Sequence, residues 1–480
     1  MKVESLRLKF PGHEKLLFKD ISVSFEKNEK VLLLGPSGCG KSTLLQVLSG
    51  VIPNSIEVPM KTTEIKHPDS WGYVFQDPDS QFCMPFVDEE IAFVLENLQV
   101  PRELMPERIK ELLHEVGLRL EDLHTNINRL SGGMKQRLAI ASVLALNPDT
   151  LFLDEPTALL DSEGTKDIWE TVKRISQDKT LIIVEHKLDH VIDLIDRIIL
   201  FDRDGSILAD GEKDEILIQY REIFREQGIW YPGVWEDYLR STPPHTVETR
   251  EETILTLQDF KGFHQKEAKI SITQASVTAG EWIAIVGENG AGKSTLLHAF
   301  MQFIKTSGLY HLYNKPVKPK QVPKDLTFVF QNPEFQFVTN SVFDEISYSL
   351  RLEKVDEEQV NIKVEELLER FGLNDHRTHH PYQLSMGQKR RLSVAASIVK
   401  NQPIMLLDEP TFGQDSQNTF ALLEMLQGYQ REGATILMVT HDEKIVEHFA
   451  TKVWTIKDGV LFQNKNVKEK GESSLRSVVI

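Results

Sequence analysis

The chain repeats itself once, at long range. KVLLLGPSGCGKSTLL at 30–45 returns as EWIAIVGENGAGKSTLL at 281–297, and YVFQDPDSQF at 73–82 returns as FVFQNPEFQF at 328–337. RLSGGMKQRL, LFLDEPTALLD and LIIVEHKLD return as QLSMGQKRRL, MLLDEPTFGQD and ILMVTHDEK. The offset is 252 between Lys41 and Lys293, 255 between Gln76 and Gln331, and 254 between Glu155 and Glu409. An offset this long and this steady means two copies of a whole domain and excludes a short-period solenoid. A chain of 480 residues has room for two such domains, each with its own core.

Within each copy, apolar runs of four or five residues precede the glycine loop, the LDE sequence and the late histidine. Such runs read as buried parallel strands, so the fold class is α/β. The insert VPRELMPERIKELLHEVGL places Leu104, Ile109, Leu112, Leu113 and Val116 at near-helical spacing and predicts a helical subdomain beside the sheet. Gly35, Pro36, Ser37, Gly38, Cys39, Gly40, Lys41 and Ser42, directly after a strand, fit G-x-x-x-x-G-K-[ST]. Gly287, Glu288, Asn289, Gly290, Ala291, Gly292, Lys293 and Ser294 fit it again. Such a loop wraps phosphates with backbone N–H groups, while its lysine adds a point charge and its serine reaches magnesium. Cys39 fills a free position of the motif.

Asp154 and Asp408 end strands and are expected at the sheet edge beside the phosphate loops, where a carboxylate holds magnesium. Glu155 and Glu409 follow and are placed to polarise a water, and His186 and His441 are placed to contact the γ-phosphate. Composition narrows the partners. Lys plus Arg is 55 and Asp plus Glu is 72, so the net charge of −17 disfavours nucleic acid. Two cysteines suit a reducing compartment, and no run approaches 18 apolar residues, so a membrane role would come through a partner. The first domain is expected over 1–235, with a helical and aromatic extension at its end. A breaker-rich linker over 236–250, a second domain over 251–466 and a flexible tail over 467–480 follow. His376, His379 and His380 lie in the loop before the second signature and read as solvated loop residues rather than a metal site.

This ordered set resembles the ATP-binding cassette (ABC) ATPases over nearly the whole chain, and two P-loop nucleotide-binding domains are thereby implied. The resemblance implies ATP and Mg2+ as cofactors, with Thr43 and Thr295 joining the phosphate contacts. Gln76 and Gln331 become Q-loop glutamines that link the magnesium site to the transporter contact. Ser131, Gly133, Ser385 and Gly387 become signature residues, Asp161 and Asp415 D-loops, and His186 and His441 switch histidines. Phe10 lies roughly where the family stacks an aromatic on adenine, and its counterpart is Phe260 or Phe263. The family arrangement implies that the two cassettes pair head to tail within the chain. Both signatures depart from Leu-Ser-Gly-Gly-Gln, by Met134 in the first and Met386 in the second, so unequal sites are expected.

The residues after each Q-loop glutamine are similar to those of the energy-coupling-factor importers, and a fused double cassette resembles the ATPase of hydroxymethylpyrimidine or thiamine uptake. The implied function is an ATP-hydrolysing subunit, at the cytoplasmic face of the membrane, that powers import of a small solute: a vitamin, a vitamin precursor or a metal ion. Transmembrane subunits and a substrate-binding membrane subunit are its implied partners. A sugar-importer ATPase and a soluble double-cassette protein acting on ribosomes are the alternatives. Short membrane-subunit helices are expected near Gln76 to Phe86 and Gln331 to Phe343, where Phe82, Phe86 and Phe337 read either as apolar contacts or as core packing.

Overall fold

The computed structural model describes residues 1–12, 15–158, 160, 162–242 and 252–467. It divides into two compact units, Met1–Val234 with Asp415–Gln417, and Trp235–Gln414 with Asn418–Ile480.

In the first unit the continuous apolar runs form a six-stranded sheet. Its order is Ile207–Glu212, Arg197–Phe201, Lys30–Leu34, Thr180–Val184, Thr150–Asp154, Trp71–Val74. All neighbours are parallel except the first pair. Runs such as TLFLD and TLIIV are buried at every position, as strands covered on both faces require. An antiparallel sheet of Phe18–Ser24, Lys2–Leu8 and Met60–Lys61 stands beside it and shares a core that includes Leu33, Leu44, Phe18 and Phe152. Helices Val87–Asn97, Met105–Glu115 and Gly132–Leu144 make the helical subdomain. Ile109, Leu112, Leu113 and Val116 face inward as their spacing predicts, whereas Leu104 is exposed ahead of the helix.

The second unit repeats the plan. Its parallel strands run Lys452–Lys457, Trp282–Val286, Thr435–Val439, Ile404–Asp408, Leu326–Val329. Here one parallel bridge, Ser271 to Val460, fuses the antiparallel strands and this sheet into a single ten-stranded sheet. Val342–Leu352, Glu357–Arg370 and Met386–Ile398 form its helical subdomain.

The expected linker begins too early. Residues Val234–Ser241 form a helix in which Tyr238 is buried and stacks on Phe420 at 4.0 Å, with Trp235 edge-on to Phe420 at 4.9 Å. The apolar rings outweigh the breakers that follow them, so 236–241 is packed structure. The rest of the expected linker, 243–250, lies outside the described residues, as does the tail from 468 onward.

Candidate functional site

Each phosphate loop leaves its strand through a glycine that no other residue could replace. Gly35 has φ +150°, and a Cβ there would meet Phe201 and Cys39 at about 3 Å; a Cβ on Gly287, at φ +148°, would run into the Ile456 carbonyl. Gly40 and Gly292, in the left-handed region, start helices Lys41–Ser49 and Lys293–Phe300, so free N–H groups and the positive end of one helix face each loop. Lys41 Nζ donates to the Gly35 and Pro36 carbonyls at 2.7 and 2.9 Å, and Lys293 Nζ to Gly287 and Glu288 at 2.8 and 2.9 Å. Each ammonium is thus curled inside its own loop. A cavity of about 420 Å³ lies against the first loop, walled by Ser37, Gly38, Lys41, Ser42, Thr43 and Glu155, with Phe10, Lys15, Leu16 and Leu17 opposite. Phe260 is fully buried, so of the two counterparts to Phe10 only Phe263, with the Lys305 ammonium 5.8 Å from its ring, remains off the core.

The magnesium ligands expected from the sequence converge in part. Ser42 Oγ donates to Asp154 at 2.7 Å, and Ser294 Oγ to Asp408 at 3.0 Å. Paired hard oxygens next to a phosphate loop are the donor set that Mg2+ takes, so the residues fit the ion. Burial pushes the Asp154 carboxyl above its usual range against the pull of the Ser42 and Tyr73 hydroxyls, and pushes Asp408 up to about 6. Gln76 and Gln331 point elsewhere. Their amides donate to Glu155 Oε2 at 2.8 Å and to Glu409 Oε2 at 3.2 Å.

The second oxygen of each glutamate faces the late histidine, at 2.9 Å for His186 and 3.3 Å for His441. Burial works against ionising Glu155, yet the His186 hydrogen bond and charge, with Lys41, overcome it and hold the carboxyl below its ordinary value. Glu409 is held low in the same way, by His441, Lys293 and Gln331 against burial. Both glutamates have left-handed backbone, φ +48° and +47°, in which their N–H groups bond the Val184 and Val439 carbonyls of the next strand. Non-glycine residues pay for that conformation, and such strain gathers at reactive positions.

Ser131 and Ser385 cap the helices that begin at Gly132 and Met386 by accepting the N–H of Met134 and Gln388. Neither Ser131 nor Gly133 walls the cavity of the first loop. Gly387 lies in the first turn of its helix, closely backed by Asn418, while Asp415 is half-buried ahead of helix Ser416–Arg431. Asp161 lies outside the described residues. The histidines of the 376–380 loop have local partners: His376 Nε2 lies 2.8 Å from Gln388 Nε2, and His380 caps a short turn.

Several residues escaped sequence reasoning. Tyr73 donates from its hydroxyl to Asp154 at 2.8 Å, and its counterpart Phe328 cannot. Glu90 and Glu345, both buried, accept the N–H groups of Cys83 and Met84, and of Val338 and Thr339. These carboxylates shape the segments after the Q-loop glutamines. The repeated acid in VDEEIAF and VFDEISY was the available signal. Phe337 is buried against Tyr382, the core-packing alternative of its two readings; Phe335 and Val338 are the exposed apolar side chains there, 76% and 65% accessible. Phe82 and Phe86 are half-buried, and Phe86 stacks on His124 at 4.0 Å.

Comparison with known proteins agrees with this geometry. Residues 18–158 and 271–412 match the family described as ABC transporter. A Bacillus subtilis protein provisionally named HMP/thiamine import ATP-binding protein YkoD is 37% identical, over 95% of this chain and 89% of its own length. A Methanosarcina mazei protein named as an ABC transporter ATP-binding protein is 32% identical, over 96% and 88%. Among solved structures, the archaeal ribosome recycling factor aABCE1, in complex with the stalk protein aP1, has the same fold at 20% identity and TM-score 0.63, over 93% of this chain and 87% of that one. Two matched stretches, each holding a phosphate loop and the carboxylates that face it, make this chain a two-cassette ATPase of the ABC transporter family.

Proposed function

We propose that the chain is the ATP-hydrolysing subunit of an importer, peripheral at the cytoplasmic face of the membrane, and that its solute is a small vitamin or vitamin precursor. The observation that carries the hydrolytic part is the clamped glutamate, strained and beside a phosphate loop in both units. The transport part is supported by the names of the relatives with 37% and 32% identity, and the solute class by the name of the first alone. No helix among the described residues is long and apolar enough to cross a membrane, so the translocation path belongs to other subunits in this reading.

The loop amides, with Lys41 or Lys293, bind the phosphate oxygens and hold the terminal phosphoryl group in line with the glutamate. When magnesium is bound, Ser42 and Asp154, or Ser294 and Asp408, would hold it, and its charge would offset that of the phosphate oxygens. Glu155 accepts a hydrogen bond from the attacking water and takes its proton as the water oxygen bonds to γ-phosphorus. The bond from γ-phosphorus to the bridging oxygen breaks, leaving ADP and phosphate. A carboxyl held below its ordinary value is a weak base, so its contribution is chiefly to orient the water, which suits a loose transition state. His186 holds the glutamate from its far side, and Gln76 reports on it from the segment that leads to Phe82.

Purification of the tagged chain from membranes tests the transport reading. A hydrophobic transmembrane partner is expected, and Phe335→Glu with Val338→Glu should release it while nucleotide binding persists. Recovery of ribosomal RNA instead, with no membrane protein, would favour the soluble alternative.

A further inference from the structure

The loop that carries His186 also carries a buried acid with no counterpart in the second unit. Glu185 is 4% accessible, and the residue at its place in the repeat is Thr440. Its Oε2 accepts the Thr157 hydroxyl at 2.9 Å, and its Oε1 accepts the His186 N–H at 3.1 Å. Thr157 belongs to the loop that begins at Glu155, and His186 to the loop after the neighbouring strand. One carboxylate therefore ties together the two loops whose side chains meet as the Glu155–His186 pair. In the second unit Thr440 Oγ accepts the Asp442 N–H within its own loop, a short-range bond that spans no gap. The glutamate–histidine separation follows the difference, 2.9 Å with the tether and 3.3 Å without it. A buried carboxylate kept only for packing would be costly, and an apolar residue would fill the same space at less expense.

We propose that Glu185 is a positioning residue of the first ATP site: it fastens the Thr157 loop to the His186 loop and so holds the imidazole against Glu155. The inference rests on the reading that Glu155 and His186 take part in hydrolysis. It concerns geometry and not charge, which makes the amide the decisive variant. In Glu185→Gln the side-chain oxygen still accepts the His186 N–H, and the NH2 group donates to Thr157 Oγ, so both ties survive. Glu185→Ala cuts both, and Thr157→Val cuts one without touching the strand.

The test measures steady-state kcat and KM for ATP on the full chain in Glu185→Ala, Glu185→Gln, Thr157→Val, the double variant Glu185→Ala/Thr157→Val and, as reference, His186→Ala. Glu185→Ala and Thr157→Val should each lower kcat about 3- to 10-fold, no further than His186→Ala, with KM within about twofold, as expected for a displaced reacting group. The double variant should lose no more than Glu185→Ala alone, since the tie that Thr157→Val cuts is already cut in Glu185→Ala. Glu185→Gln should stay within about twofold of wild type. If Glu185→Ala does not fold, Thr157→Val and Glu185→Gln decide the matter. Wild-type kcat in the tether variants while His186→Ala is impaired overturns the proposal, as does an equal loss in Glu185→Gln. Wild-type kcat in His186→Ala overturns the underlying reading instead.

Discussion

Glu155 and Glu409 each have one oxygen on an amide and the other on an imidazole, so neither is free to turn away from the phosphate loop. Replacing both by Gln removes the charge and keeps the shape, and turnover is expected to fall about 10²- to 10⁴-fold while nucleotide binding persists. Phosphate release from Glu155→Gln/Glu409→Gln at saturating ATP checks it. Glu185 makes a different prediction, about stability. Burial raises its carboxyl from the ordinary 4.5 to about 7, so the fold favours the protonated form. Its stabilising contribution is complete below about pH 4.5 and is lost as pH rises through about 7. Glu185→Gln is neutral throughout, and should match wild type near pH 5 and exceed it by roughly 2–3 kcal/mol near pH 8.5 in urea unfolding. Motif residues such as Lys41, Asp154 and Glu155 were legible because the chemistry demands a fixed type at a fixed spacing. Tyr73 and Glu185 were not, because each acts through a partner distant in sequence and is absent from the other copy.

Among the elements, the signature helices show how similar sequences earn different ends. Both are capped by a serine, but only at Ser385 does the third residue reach back, Gln388 Oε1 accepting the Ser385 N–H at 2.9 Å. Met134 cannot do so. Loss of a capping serine costs about 0.5–2 kcal/mol, and we expect Gln388→Met to cost a further few tenths in chemical unfolding of the full chain, with Met134→Gln stabilising the first unit by a similar amount. The segments after the Q-loop glutamines depend on buried acids. Glu345 accepts two backbone N–H groups and the Thr339 hydroxyl, and Glu90 two N–H groups. Alanine at either strands those donors at roughly 1–3 kcal/mol per group, so hydrogen exchange at 338–339 or 83–84 should accelerate sharply. Slow exchange in Glu345→Ala would refute that account. The strands were legible because burial on both faces writes a continuous apolar run. The choice between packing and docking for Phe337 was not, since the turn at Pro333–Phe335 breaks the alternation by which a strand would place Phe335 and Phe337 on one face. The helix Val234–Ser241 was hidden by the breakers that follow it.

Across the whole molecule, the two copies have drifted at the same few places. Tyr73 corresponds to Phe328, Gln136 to Arg390, Glu185 to Thr440 and Met134 to Gln388 in the repeat, and burial lowers the Arg390 guanidinium to about 10. Duplication is plain in the sequence; the differences between the copies show only where side chains meet. Unequal contributions to turnover are expected from Glu155→Gln and Glu409→Gln, since only the first copy has the Glu185 tether and only the second has a methionine, Met386, for the first signature glycine. Equal losses in single-variant ATPase assays would show the copies to be equivalent. The backbone at Glu155 and Glu409 has a further consequence for anyone breeding this protein. A left-handed residue with a side chain costs about 1–3 kcal/mol that glycine, and to a lesser degree asparagine, would recover. A library selected for heat tolerance alone should therefore collect glycine and asparagine at 155 and 409 first, yielding tougher chains that no longer burn fuel.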